Sequence, residues 1–207
     1  MVTTGLRERK KERTRATITR VALELFARDG FAATTLSAIA EAAEISPRTV
    51  STYFPSKEGI VFEEYDRYID DLCAHFARRP RRESVVESLG AWMLKMSEEP
   101  VSDSNPLVRA RTVAPDFARL RQTAIQRDPE LWALERRYTR RAARAITAAI
   151  AEELGLAPDA LAARAAGEAA VAALLELNAT AALRDEAAAD SLDVVLNFLR
   201  AGVDALR

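Results

Sequence analysis

An all-α fold is predicted by three observations. Alanine, leucine, arginine and glutamate, all strong helix formers, dominate a 207-residue chain that is 49% hydrophobic. Only 7 glycines and 8 prolines interrupt it, and β-branched alternation is almost absent. Apolar residues recur instead at spacings of three and four, the period of a helix with one buried face. The single cysteine, Cys73, excludes an intramolecular disulfide framework and fits a reducing cytoplasm. No apolar run reaches the roughly 18 residues of a membrane span. The N-terminal MVTTGLRERKKERTR has no hydrophobic segment behind its charges, so it does not read as a secretory signal. A soluble cytoplasmic protein without membrane association is the expectation.

The first helix is expected from about Lys10 to Asp29, with Ile18, Val21, Ala22, Leu25 and Phe26 on one stripe. Gly30 should end it as a left-handed cap, with Phe31 folding back. Thr35 is the expected N-cap of a second helix, on which Ile39, Ala40 and Ala43 share a face. Ala40 stands where two helices cross closely, because a longer side chain would hold them apart. Ile45 occupies the bend. Ser46 offers a capping hydroxyl, and Pro47 follows at the first position of a third helix, where its missing N–H costs nothing. Val50 and Tyr53 are the apolar residues of that short helix. Pro55 stops it, and Ser56 caps a fourth, long helix from Lys57 to about Arg78.

The stretch Thr35 to Lys57, TLSAIAEAAEISPRTVSTYFPSK, therefore has the spacing of a helix-turn-helix whose third helix is short enough for a major groove. An ordinary helical hairpin fits that spacing equally well. Charge favours the first reading. The net charge of −1 conceals an asymmetry: residues 1–60 carry ten Lys/Arg against seven Asp/Glu, and residues 61–207 carry twenty against twenty-four. Residues 1–20 alone hold seven basic and two acidic side chains. A basic arm beside a groove-sized helix is the electrostatic footprint of nucleic-acid binding.

Further on, Val85, Val86, Leu89, Trp92, Met93 and Met96 form the stripe of a fifth helix, and Ser84–Glu87 has capping-box spacing. VSDSNP reads as a loop, followed by a short helix over Leu107–Val113. Pro115 interrupts, and a turn or two runs to Gln126. Asp128–Pro129 opens a long helix to about Leu154, closed by Gly155. Its inner stripe is Leu131, Leu134, Tyr138, Ala142, Ala145, Ile146 and Ala149, while Arg136, Arg140 and Arg144 make a solvated face. The last two helices, about Asp159–Leu183 and Asp190–Leu206, carry an alanine stripe and a leucine/valine stripe. Together they expose more apolar surface than one protomer covers.

Residues Ile18 to Ile60, ITRVALELFARDGFAATTLSAIAEAAEISPRTVSTYFPSKEGI, resemble the DNA-binding domain of TetR-family transcriptional regulators. The matching pieces are ALELFARDGF, TT-L-x-x-IA and YFPSKE. The resemblance implies a three-helix DNA-binding domain with its basic arm (residues 1–56) and a larger helical effector-binding and dimerisation domain (residues 57–207). Two departures are visible. Glu44 stands where the family commonly has glycine in the turn, so that turn is expected to use a different backbone conformation. Ser51 stands where many members have a phosphate-anchoring tyrosine.

Carried over residue by residue, the resemblance implies that Thr35 holds a phosphate, that Arg48 and Thr49 contact base edges, and that Ser51 and Thr52 add base or phosphate contacts. Tyr53 would be shared between core and phosphate, and Lys57 would hold a phosphate as a point charge. The partner would be double-stranded DNA with a palindromic operator, read by a homodimer formed through the last two helices. Such proteins hold a small-molecule effector between the fourth, fifth, seventh and eighth helices. Lining residues would come from His75, Trp92, Met96, Trp132, Tyr138 and Leu175, with Glu176 and Asn178 as polar contacts to a largely apolar effector. No cofactor or metal is called for, and one histidine with one cysteine gives no nucleophile or metal-ligand spacing. A repressor released by its effector is the expected function. A regulator whose ligand promotes binding, and a helical protein-interaction adaptor, remain alternatives.

Overall fold

A computed structural model of the chain describes residues 5–98, 115–184 and 188–207. Among these residues every regular element is a helix. In chain order they are α1 (Leu6–Asp29), α2 (Leu36–Ala42), α3 (Pro47–Tyr53), α4 (Lys57–Arg78), α5 (Val85–Glu98), α6 (Pro115–Arg127), α7 (Pro129–Leu154), α8 (Leu161–Arg184) and α9 (Ala188–Asp204). The loop and short helix expected over residues 101–113 lie outside the described residues. By contacts the chain divides into two units, Met1–Glu63 with Asp116–Glu135, and Glu64–Pro115 with Arg136–Arg207.

In the first unit, α1 starts at Leu6 rather than near Lys10, so the basic arm is helical from Leu6 onward. The run LRERKKERTR contains no helix breaker, and its long side chains lose little freedom in a helix. The core of this unit is Ile18, Leu23, Phe26, Phe31, Ile39, Ala40, Val50, Phe54, Ile60, Phe62, Ile125 and Leu131, all nearly inaccessible. Ala40 is fully buried, as its place at a close helix crossing requires. The Phe26 and Phe31 rings meet edge-on at 5.1 Å. Beside Val50 the buried anchor is Phe54, the extended residue just after α3, while Tyr53 is half-buried. Over the described residues α6 runs 13 residues from Pro115 to Arg127, longer than the turn or two expected.

Two local expectations differ in detail. Gly30 has φ +89° and ψ 154°, so it leaves α1 with a positive φ but outside the left-handed helical region. Glu44 adopts φ +56°, the handedness a glycine would supply. Glu44 N–H reaches Glu41 O at 3.1 Å and Ile45 N–H reaches Ala40 O at 2.9 Å, the paired bonds of a Schellman ending. The turn thus keeps the glycine conformation without the glycine, contrary to the expectation of a different one.

The second unit is built around one cluster from α4, α5, α7, α8 and α9, including Leu72, Phe76, Leu89, Trp92, Ile146, Leu174 and Leu199. Two glycines set its close crossings. A Cβ on Gly90 of α5 would lie 2.8 Å from Leu196 Cδ1 of α9. One on Gly167 of α8 would strike the Thr147 hydroxyl of α7 and stand 3.0 Å from Thr147 Cα. At α5 the first amide, Val85 N–H, is taken by Glu153 Oε2 at 2.6 Å, a cap supplied by another helix. By length and composition α8 is apolar enough to cross a bilayer, with a mean hydropathy of 1.2 in its most apolar stretch. Of its alanines, Ala170 is in the core of this unit and Ala166, Ala173 and Ala181 pack against it.

Candidate nucleic-acid interface

The α2–turn–α3 segment is fixed by local hydrogen bonds. Thr35 Oγ1 accepts Ala38 N–H at 3.0 Å and caps α2. Ser46 Oγ accepts Thr49 N–H at 3.1 Å and caps α3, with Pro47 at its first position. Ser56 Oγ accepts Gly59 N–H at 3.2 Å at the start of α4. Val50 and Phe54 anchor α3 from below, and Arg15 of α1 lies 4.6 Å from the Phe54 ring centroid.

That anchoring turns the other face outward. Arg48, Ser51 and Thr52 are exposed, and Thr49 and Tyr53 are half-buried. The Thr49 hydroxyl shares a 2.7 Å hydrogen bond with Ser46 Oγ, and Thr52 Oγ1 donates to Arg48 O at 2.8 Å. Both hydroxyls keep acceptor lone pairs. Lys57 is placed differently from the expectation. Its Nζ donates to Phe31 O at 2.6 Å and stands 4.4 Å from the Phe31 ring centroid, so it is already engaged within the protein.

Of the residues expected to line an effector pocket, Trp92, Met96, Tyr138 and Leu175 lie in or against the packed core of the second unit. Trp92 is buried in the core, its indole N–H donating to Asp71 Oδ2 at 2.7 Å and its ring 4.5 Å from that of Tyr68. His75 Nε2 lies 3.0 Å from Ser88 O and 2.9 Å from Ser88 Oγ, tying α4 to α5. Tyr138 meets Tyr65 edge-on at 6.5 Å, and Met96 and Leu175 pack partly buried against the core. Glu176 and Asn178 are exposed on α8, so neither polar group points into the interior. Trp132 is 54% exposed and belongs to the first unit. The second unit instead contains a cavity of about 230 Å³ among α5, α7, α8 and α9. Val85, Leu89, Ile146, Ile150, Ala166, Ala170, Phe198 and Leu199 are among its walls, every lining side chain is hydrocarbon, and none of the eight expected residues lines it.

Residues 18–63 match the family model described as bacterial regulatory proteins, tetR family. That segment is a TetR-family DNA-binding domain. The transcriptional regulator TcmR of Streptomyces glaucescens is 39% identical over 85 residues, 41% of this chain and 38% of that protein. The aligned stretch thus spans well under half of that relative. Native NalD of Pseudomonas aeruginosa, described as the secondary repressor of the MexAB-OprM multidrug efflux pump, has a similar fold. Its TM-score is 0.61 at 20% identity, over 92% of this chain and 97% of that one. FadR of Thermus thermophilus, a TetR-family repressor solved with lauroyl-CoA, gives 0.54 at 21%, over 91% and 94%. At these identities the two structures speak for the fold alone. TetR-family regulators are DNA-binding transcription factors and not enzymes.

Several residues hold these helices in ways that the sequence expectations did not include. Phe54 had a signal, the i+4 spacing from Val50. Asp71 and Ser88, which satisfy Trp92 and His75, had none, because the pairs are 21 and 13 residues apart. Thr34, buried with its hydroxyl on Gly30 O at 2.8 Å, was passed over for the neighbouring cap Thr35.

Proposed function

We propose that the chain is a transcriptional repressor that reads a palindromic operator as a homodimer and leaves it on binding a small, largely apolar effector. The observation that carries this reading is α3. Capped by Ser46 and anchored by Val50 and Phe54, this seven-residue helix holds Arg48, Ser51 and Thr52 on its free face. Arg48 and Thr49 contact base edges, and an arginine paired with guanine discriminates by about 1–3 kcal/mol. Thr35, Ser51, Thr52 and Tyr53 hold the phosphate backbone. Lys57 has donor capacity left beyond Phe31 O for the same purpose.

Residues 1–56 form the reading domain in this proposal, and residues 57–207 the effector-binding and dimerisation domain, working in the cytoplasm where the DNA is. Dimerisation through α8 and α9 is supported by Leu161, Val194 and Phe198, which are 80%, 71% and 62% exposed. Apolar side chains that open to water mark a surface meant to be covered. The hydrocarbon cavity supports an apolar effector. Selection of duplexes by the full chain from a random pool tests the reading. An inverted repeat with half-sites about one helical turn apart is expected. Recovery of no common sequence would overturn it.

A further inference from the structure

The turn between α1 and α2 is held from two sides by side chains far away in sequence. Gly30 N–H returns to Phe26 O at 3.1 Å, but the next amide does not follow it. In a Schellman ending the amide after the glycine turns back to the same helix. At the Gly30 ψ of 154° it faces away from α1. Phe31 N–H donates instead to Asp128 Oδ2 at 2.7 Å, across 97 residues. The other oxygen of that carboxylate caps α7, accepting Glu130 N–H at 2.9 Å and Leu131 N–H at 3.3 Å. On the carbonyl side of Phe31, Lys57 donates to the oxygen at 2.6 Å. Arg127 adds a bond to Ala27 O at 3.3 Å, taking one of the carbonyls that the end of α1 leaves unpaired.

We infer that Asp128 is a positioning residue for DNA reading, its carboxylate locking the Phe31 peptide, and so the pose of α2 and α3, to the start of α7. The inference rests on the DNA-binding function proposed above. A carboxylate bonded to backbone N–H groups makes charge-assisted bonds, roughly twice as strong as neutral ones. Little chain lies between Phe31 and α2 to absorb a displacement, since Thr34 is tied to Gly30 O and Thr35 is already the cap. Phe31 is therefore gripped by Lys57, the first residue of α4, and by Asp128, the residue before α7. Those helices run to Arg78 and Leu154, past the bounds of the first unit. A shift at either helix start reaches the reading helix as movement of one peptide.

Two variants of the full chain separate this role from helix capping. Asp128→Ser keeps a capping oxygen but lacks the second one that meets Phe31. Asp128→Asn keeps the shape and the cap but can accept on only one side. Binding is measured on a duplex selected by the parent chain and on a scrambled duplex of equal length. In both variants affinity for the selected duplex should fall about tenfold, the loss of one charge-assisted bond. Affinity for the scrambled duplex should hold, and the Phe31 amide proton should move upfield in the ¹H–¹⁵N spectrum. An unchanged ratio of the two affinities, with or without a lower melting temperature, would overturn the inference, as would an equal loss on both duplexes. If the parent itself selects no duplex, it is the DNA-binding proposal that fails, a result distinct from variants that match a parent able to select.

Discussion

Glu44 carries a Cβ in a backbone conformation that suits glycine, with φ +56°. A left-handed conformation costs a non-glycine residue roughly 1 kcal/mol or more, and part of the gain on removal is lost to the freer unfolded chain. Glu44→Gly is expected to stabilise the protein by about 0.5–1 kcal/mol, read as a higher denaturant midpoint at constant slope. A lower midpoint would contradict the strain. Cys73 makes the opposite case of a residue kept quiet. Burial pushes its thiol pKa up, against the pull of Arg141, so less thiolate is present at neutral pH than on a free cysteine. Alkylation by iodoacetamide at pH 7 should be several-fold slower in the native protein than after unfolding. Equal rates would show that the burial has no chemical consequence.

At the level of helices, the beginnings and ends were readable wherever one residue decides them. Thr35, Ser46–Pro47, Ser56, Asp128–Pro129 and Gly155 stand next to the groups they cap or terminate, so short-range sequence carries the information. What sequence could not carry is pairing across distance. The Asp71–Trp92, His75–Ser88 and Asp128–Phe31 bonds depend on which faces meet. Without them the polar atoms of Trp92 and His75 look available to an effector. The helix-turn-helix was legible for the same reason that the apolar cavity was not. One is a local pattern and the other is assembled from helices far apart in the chain. Close crossings give a direct test of the packing. Gly167→Ala should cost about 1–3 kcal/mol, because the new methyl meets Thr147 backbone as well as its hydroxyl and cannot be relieved by a rotamer change alone. A neutral effect would mean that α7 and α8 are not in this contact.

For the whole molecule, the proposed function needs a reading helix, an apolar face for a second copy, and an apolar cavity. Phe198→Glu should convert a dimer into a species of 22.8 kDa by light scattering, since a charge would be placed on the face to be buried. The same variant should lose affinity for a full inverted repeat while keeping weak binding to a half-site. A parent chain that is monomeric at micromolar concentration would remove the dimer from the account. The most direct test of the central claim is to titrate the parent and Arg48→Ala against duplexes carrying every single-base change in the selected operator. Base reading by α3 predicts that discrimination disappears at one base pair in each half-site, by about 1–3 kcal/mol, and persists at the others. A uniform loss across all duplexes, with no position relaxed, would contradict it.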